Sequence, residues 1–328
     1  MSLALLLKQA VEHHRNGKLD LAEDIYKFLG EADAGNAQVW HLRGLVAQEL
    51  GRHEQAIERF RQAMSLGHDR AETWFQIGRT QGRAGDATAA MAAYREVLAV
   101  APARVDALCN LANLQLEGGA FDDARVNYER ALALAPDNAT IHYNLGTLCL
   151  KRFQPAQAAS HFEAAIRLRP DYANAHNSRG AALAELGATV DAAAAFRKAS
   201  ELAPTFIEPL FNLHGQLLDL GDIDGAIACM QRAVDIDSSN ADNRFFLGML
   251  QQYGGDEEAG TRILEALRDE GRSEAEIDSW GYLRAFSAAL PAMTGSGRRT
   301  FELAIARAPG TGLVLEFGVY HGKSIRQI

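Results

Sequence analysis

Apolar, small and aromatic residues recur along the chain at a fixed spacing of 34 residues. The clearest marker is a proline that occurs four times at this interval, at Pro102, Pro136, Pro170 and Pro204. We number each unit so that this proline is position 32, which gives eight units between residues 3 and 274. A period of this length predicts stacked supersecondary units rather than a conventional globular core.

Four further columns of the repeat predict a helical hairpin. Positions 8 and 20 are small in most units, so two helices can approach closely, and the aromatic residue at position 24 is expected to fill the space between one pair and the next. Glycine at position 15 ends the first helix in the left-handed conformation, and proline at position 32 ends the second. Position 15 reads Gly17, Gly51, Gly85, Gly119, Phe153, Gly187, Gly221 and Gly255.

This pattern resembles the tetratricopeptide repeat (TPR) family over residues 3–274, with weaker matches in the first and last units. The resemblance implies an all-α fold, an α-solenoid in which helical hairpins form a right-handed superhelix. It also implies that the first helix of each hairpin lines a concave groove that binds a protein or an extended peptide.

Charge and composition narrow the class of partner. The net charge is −9 and the isoelectric point is about 5.6, which argues against a nucleic-acid surface. No apolar run reaches the roughly 20 residues that a membrane span needs. The three cysteines lie far apart, so we expect a reducing, cytoplasmic setting. Neither a catalytic arrangement nor a metal-binding spacing stands out, so we predict no catalytic residue, no metal and no enzyme activity for this chain.

Carboxamides occupy four of the eight residues at position 6 of the repeat, one of the positions that face the groove in the TPR family. The column resembles the asparagine ladder of O-GlcNAc-transferase-type TPRs, and each amide offers a donor and an acceptor to a peptide backbone. Alternatively, these residues only satisfy neighbouring helix ends. The candidates are Gln76, Asn110, Asn144 and Asn212, with Asn113 one turn further along.

Aromatic residues at position 5 form a second candidate column. They would supply pockets for peptide side chains. The alternative is that they pack against the adjacent repeat. This column contains Phe75, Tyr143, Phe211 and Phe245.

The sequence changes character after residue 274. Residues 275–312 read as linker helices, and residues 313–328 read as a strand, a glycine loop and the start of a helix. The string VLEFGVYHGKSI resembles motif I of class I S-adenosylmethionine-dependent methyltransferases, in particular the macrocin O-methyltransferase-like group. The resemblance implies cofactor contacts, in a longer parent protein, from Glu316, Gly318, Tyr320, Gly322 and Ser324.

One strand cannot form a doubly wound sheet, so we expect a truncated piece of a larger protein that binds no cofactor itself. The favoured interpretation is a TPR scaffold that recruits partners for a methyltransferase. Two alternatives stay open. The parent is a sugar or small-molecule O-methyltransferase whose array mediates self-association, or the chain is a bacterial helper of glycan or cell-surface assembly.

Overall fold

The computed structural model describes residues 2–273, 275–278, 280 and 281. Within this part of the chain every regular element is helical and no strand is present. The bounds of the helices are α1 (Leu3–Arg15), α2 (Leu19–Ala32), α3 (Ala37–Glu49), α4 (His53–Ser65), α5 (Arg70–Arg83), α6 (Ala87–Val100), α7 (Val105–Glu117), α8 (Phe121–Leu134), α9 (Ala139–Lys151), α10 (Pro155–Leu168), α11 (Ala173–Glu185), α12 (Thr189–Leu202), α13 (Ile207–Asp219), α14 (Ile223–Ile236), α15 (Ala241–Tyr253) and α16 (Glu257–Asp269). The predicted all-α array of helical hairpins is confirmed for these residues.

The chain divides into two compact units, an N-terminal unit up to Leu148 and a C-terminal unit from Cys149 onward. Inside the N-terminal unit α1 packs on α2, α3 on α4, α5 on α6 and α7 on α8. Inside the C-terminal unit the pairs are α11 with α12, α13 with α14, and α15 with α16. We call the odd-numbered members first helices and the even-numbered members second helices.

The turn inside each hairpin uses the left-handed backbone conformation. Gly51, Gly85 and Gly187 have φ angles of 73°, 84° and 75°. A β carbon is unfavourable there, which is why glycine fills this column. Phe153 stands at the same position of the fifth unit with φ of 56°, and its side chain is 88% exposed. The predicted role of position 15 is confirmed, and the fifth unit adopts it without glycine.

The aromatic ring at position 24 packs first against its own hairpin. A β carbon at Gly44 would lie 2.5 Å from Phe60 Cε1, and one at Gly180 would lie 2.7 Å from Phe196 Cδ1. The expectation that this ring mainly fills the space between hairpins was therefore incomplete. It also reaches the next hairpin, because Tyr94 packs in one cluster with residues of α7.

Backbone carbonyls at position 32 are bonded by the hairpin that follows. Position 32 lies two residues beyond the end of the second helix, so its carbonyl is outside the helical hydrogen-bond ladder and needs another donor when it is covered. Side chains from position 4 or position 26 of the next unit supply it. The contacts are Trp40 Nε1 to Ala34 O (3.0 Å), His176 Nε2 to Pro170 O (3.0 Å), Arg130 Nη2 to Pro102 O (3.3 Å) and Arg232 Nη2 to Pro204 O (3.4 Å).

A further helical segment, over 275–278, 280 and 281, covers the end of the C-terminal core. Ile277 and Trp280 are buried in the same cluster as Leu264 and Leu267, and Trp280 Nε1 donates to Gln252 Oε1 at 2.7 Å. The remainder of the predicted linker helices and the whole predicted strand, loop and helix start at 313–328 lie outside the described residues.

Candidate functional site

All nine groove residues predicted from the sequence lie on first helices. Neighbouring first helices touch within each unit: α3 contacts α5 and α11 contacts α13, and side chains connect α7 with α9 and α13 with α15, so their outward positions form a shared surface. We call this surface the first-helix face of that unit. The predicted residues divide between α5 (Phe75, Gln76), α7 (Asn110, Asn113), α9 (Tyr143, Asn144), α13 (Phe211, Asn212) and α15 (Phe245).

The asparagines of the N-terminal unit form hydrogen bonds that join consecutive hairpins. Asn113 Oδ1 accepts from Tyr128 Oη at 2.5 Å and from Asn144 Nδ2 at 3.1 Å. Asn110 Nδ2 donates to Tyr94 Oη of the preceding 34-residue repeat at 3.3 Å. All three asparagines are half-buried. These amides therefore link one repeat to the next, which neither of the two sequence interpretations described.

An equivalent relay crosses two first helices of the C-terminal unit. Asn212 Nδ2 donates to Asn177 Oδ1 at 3.1 Å, and Asn177 Nδ2 donates to Glu208 Oε1 at 3.0 Å. Asn177 is buried, whereas Asn212 is half-buried and Glu208 is exposed. Asn177 and Glu208 were missed as site residues. Glu208 could have been found as a polar residue one turn before Asn212 on the same helix, whereas Asn177 stands at position 5 of the preceding repeat, in the column that we interpreted as aromatic.

Three of the predicted groove residues are largely covered, since Phe75, Gln76 and Phe245 are only 8%, 7% and 4% exposed. Gln76 Nε2 donates to Glu72 Oε1 at 2.6 Å instead of facing solvent. The Arg104 guanidinium lies 4.1 Å above the Phe75 ring. For Phe75 and Phe245 the structure therefore favours the packing alternative.

Tyr143 and Phe211 remain half-buried on the first-helix faces. The Phe211 ring meets Phe246 at 5.3 Å and His214 at 4.9 Å, both edge to face. This cluster brings three rings together in the C-terminal unit, whereas in α5 of the N-terminal unit the ring at position 5 is covered by arginine.

Arg104 also organises the charges of the N-terminal face. It bonds Glu72 Oε2 at 2.8 Å and Asp106 Oδ1 at 2.9 Å, and both carboxylates occupy position 2 of their units. Burial opposes ionisation of Glu72, but hydrogen bonds from Gln76 and Arg104 outweigh it, so the pKa of this carboxyl is lowered. Glu72, Asp106 and Arg104 were also missed by the sequence reasoning.

Two histidines of first helices are buried and neutral. Burial, with a smaller effect from His68, lowers the pKa of His41 to about 4, and the His41 and His68 rings stack at 4.0 Å. Burial likewise lowers the pKa of His214 to about 4, against a smaller opposing effect of its hydrogen bond with the Phe211 carbonyl. These histidines contribute to the core rather than to an accessible site.

Among the described residues, no group of three or more His, Cys, Asp or Glu side chains is arranged to hold a metal ion. In residues 2–273, 275–278, 280 and 281, no helix combines the length and apolar character needed to cross a bilayer. Glu316, Gly318, Tyr320, Gly322 and Ser324 lie outside the described residues, so the methyltransferase resemblance stays a prediction.

Family models match most of the repeat region. Models described as tetratricopeptide repeat match residues 33–103, 150–205 and 217–240, and one described as TPR repeat matches residues 116–151. Together they span more than half of the chain and lie entirely within the predicted units. No curated protein matches the chain.

Solved structures with the same fold include several bacterial repeat proteins. The C-terminal part of a TPR repeat-containing protein from Cytophaga hutchinsonii is 16% identical with a TM-score of 0.61, covering 74% of this chain and 99% of its own. A tetratricopeptide repeat protein from Parabacteroides merdae is 14% identical with a TM-score of 0.58, covering 76% and 98%.

PilW, a widely conserved type IV pilus biogenesis factor, is 20% identical with a TM-score of 0.56, covering 64% of this chain and 97% of its own. At these identities the likenesses show the fold alone. The four family models, which together span more than half of the chain, show that it belongs to the tetratricopeptide repeat family.

Proposed function

We propose that this chain is a non-catalytic scaffold that binds an extended polypeptide on its first-helix faces. The observation that carries the proposal is the set of half-buried amides, because each keeps hydrogen-bonding capacity after its bonds within the protein are counted. Asn144 uses one N–H group toward Asn113, and Asn212 uses one toward Asn177. A carboxamide has two N–H donors and two acceptor lone pairs.

A peptide backbone presents the same groups at regular intervals, so such amides bind it with little dependence on side chains. The relays also fix the amides before a partner arrives. Asn113 Oδ1 is held by two donors, which sets the orientation of both Asn113 and Asn144. An amide that is already oriented loses less conformational entropy on binding than a free surface side chain.

The test uses peptides selected by display against the full chain and measured by fluorescence anisotropy. The triple variant Asn110→Ala/Asn144→Ala/Asn212→Ala removes one amide from each of three first helices. We expect affinity to fall by about 10- to 1000-fold, since each lost hydrogen bond costs on the order of 0.5–1.5 kcal/mol. N-methylation of the peptide backbone should weaken wild-type binding similarly.

The matched control removes amides from second helices, with Gln62→Ala and Gln231→Ala. Both residues are exposed, on α4 and α14. This control should bind the selected peptides within about twofold of the wild type. If the triple variant also binds as the wild type does, or if display yields no peptide for the wild type, the first-helix faces are not the binding surface.

The finer hypothesis that this array recruits partners or self-associates for a methyltransferase is supported only by the sequence string VLEFGVYHGKSI. No described residue bears on it, and the scaffold proposal does not depend on it. The partner class proposed here is protein or extended peptide, with no nucleic acid, because of the acidic net charge.

A further inference from the structure

The groove-facing positions of the first helices in the C-terminal unit carry acidic, apolar and amide side chains but no lysine or arginine. In α11, α13 and α15, all within the described residues, positions 2, 5, 6, 9, 12 and 13 contain neither lysine nor arginine. The carboxylates on this face include Glu185, Glu208 and Asp242, and all three side chains are exposed. These positions therefore carry formal negative charge but no formal positive charge.

Each of the two carboxylates at position 2 stands next to an aromatic ring. Glu208 lies one helical turn before Phe211 on α13, and Asp242 lies one turn before Phe246 on α15. The two rings meet at 5.3 Å, so the acid–aromatic pairs of neighbouring helices join into one patch. Both rings are half-buried and keep an accessible part.

The N-terminal unit treats the same positions differently. There the position 2 carboxylates, Glu72 and Asp106, are both bound by Arg104, which lies two residues before Asp106. The residue two before Glu208 is Phe206. Within the described part of the chain, Glu208 accepts a hydrogen bond from Asn177 but forms no ion pair.

Asp242 shows the same contrast. The residue two before it is Asn240, whose side chain accepts a hydrogen bond from the backbone N–H of Asn243 at the start of α15. Among the described residues Asp242 likewise forms no ion pair. The position 2 carboxylates are therefore neutralised by an arginine in the N-terminal unit, whereas Glu208 and Asp242 in the C-terminal unit have no such arginine.

We infer that the first-helix face of α11, α13 and α15 docks an extended peptide in which lysine or arginine residues alternate with large apolar ones. The basic groups pair with Glu208 and Asp242, the apolar side chains pack on Phe211 and Phe246, and the backbone bonds to Asn212. A guanidinium or ammonium group between a carboxylate and a ring gains from both, because the ring face attracts cations. This inference rests on the proposed function and specifies its partner class.

The experiment compares three synthetic peptides of one apolar pattern with the full chain, measured by fluorescence anisotropy. The polar positions carry arginine in the first peptide, glutamine in the second and glutamate in the third. We expect the arginine peptide to bind most tightly and the glutamate peptide least. Affinity for the arginine peptide should fall as ionic strength rises, because exposed ion pairs are screened by salt.

The decisive variant is Glu208→Gln/Asp242→Asn, which removes both charges but keeps an oxygen to accept from Asn177. It should weaken the arginine peptide by roughly 10-fold, leave the glutamine peptide within about twofold, and reduce the salt dependence. The control Glu163→Gln/Glu265→Gln removes two exposed charges from second helices α10 and α16, and should bind as the wild type does. Phe211→Ala should weaken the arginine and glutamine peptides together.

The outcomes separate this inference from the proposed function. If the peptides bind but the glutamate version binds as well as the arginine version, or if Glu208→Gln/Asp242→Asn changes nothing, the inference is wrong while the scaffold proposal stands. If none of the peptides binds and display also yields none, both fail. Circular dichroism of each variant identifies any loss of binding that comes from unfolding.

Discussion

Replacing Gly44 by alanine tests the close contact inside a hairpin. The added β carbon would lie 2.5 Å from Cε1 and 2.6 Å from Cδ1 of Phe60, whereas 3.4–4 Å is ordinary van der Waals contact. Phe60 is fully buried, so its ring cannot move aside into solvent. The hairpin has to open by about 1 Å or the ring has to leave its rotamer.

Two effects of opposite sign determine how much Gly44→Ala changes the free energy of unfolding. Alanine favours the interior of a helix over glycine by about 1 kcal/mol. Overpacking of a filled core costs about 1–3 kcal/mol, and a contact this short in a fully buried site belongs at the upper end. We therefore expect Gly44→Ala to lower the free energy of unfolding by about 1–2 kcal/mol.

Gly82→Ala is the matched control, because Gly82 also lies in a first helix but its added β carbon would come no closer than 4.0 Å to Ala90. It keeps the gain in helix propensity without the clash, so it should raise the free energy of unfolding by about 0.5–1 kcal/mol. The assay is urea unfolding followed by helical circular dichroism, with hydrogen exchange to locate the affected hairpin.

A smaller side chain at position 60 should also relieve the clash. In the eighth repeat Gly248 faces Leu264, and an added β carbon would lie 2.9 Å from Leu264 Cγ, against 2.5 Å from Phe60 Cε1 at Gly44, so leucine leaves more room than phenylalanine. Adding Phe60→Leu to Gly44→Ala should therefore restore part of the loss, with a coupling energy on the order of 0.5–3 kcal/mol. The packing argument would be refuted if Gly44→Ala were as stable as Gly82→Ala, or if the double variant showed no coupling.

Two further predictions concern the backbone at Phe153 and the buried histidines. Phe153→Gly should raise the thermal midpoint and increase the free energy of unfolding by about 0.5–1 kcal/mol, because the relief of left-handed backbone strain exceeds the extra entropy that glycine loses on folding. Phe153→Ala keeps the β carbon and should not reproduce this gain. The pKa of His41 and that of His214 are about 4 in the folded chain, below the usual 6.5, so the unfolded state binds more protons between these values. The free energy of unfolding, measured by urea titration, should therefore fall as pH is lowered from about 6.5 to about 4. His41→Gln should make this dependence on pH less steep. If the dependence stays the same, groups other than His41 cause it.

The repeat pattern predicted the fold well because its markers act locally. A glycine at position 15 or a proline at position 32 fixes the backbone of its own residue, whatever lies nearby. Even the exception was informative, since Phe153 takes the left-handed conformation that its column required. The turn geometry is the same as in the other repeats, where a glycine takes this conformation.

The groove residues were harder to predict because their burial depends on neighbouring repeats. Phe75 is covered by Arg104, which lies 29 positions later in the sequence and outside the column that identified Phe75. Phe211 has Phe246 beside it and keeps an accessible part of its ring. The same residue type at the same position thus meets two different environments, and a single column cannot distinguish them.

The amide bonds illustrate a similar limit. Asparagine at position 6 predicted polar side chains on first helices, which is correct, but not that Asn144 would bond to Asn113 rather than face solvent. The pairing depends on distances between adjacent helices, which the sequence does not state. Removing these asparagines should therefore affect stability as well as binding, contrary to the expectation for freely solvated side chains.

The hydrogen bonds to position 32 carbonyls have a consequence for recombination between repeats. A hairpin whose carbonyl is bonded by Trp40, Arg130 or Arg232 depends on a residue that belongs to the following hairpin. A hairpin cut out at the loop boundary and moved elsewhere would leave its donor behind and lose its final hydrogen bond. Duplicated or grafted segments should therefore fold best when the exchanged segment extends through position 26 of the next hairpin. The segment that can be exchanged without losing hydrogen bonds is thus longer than the 34-residue sequence repeat.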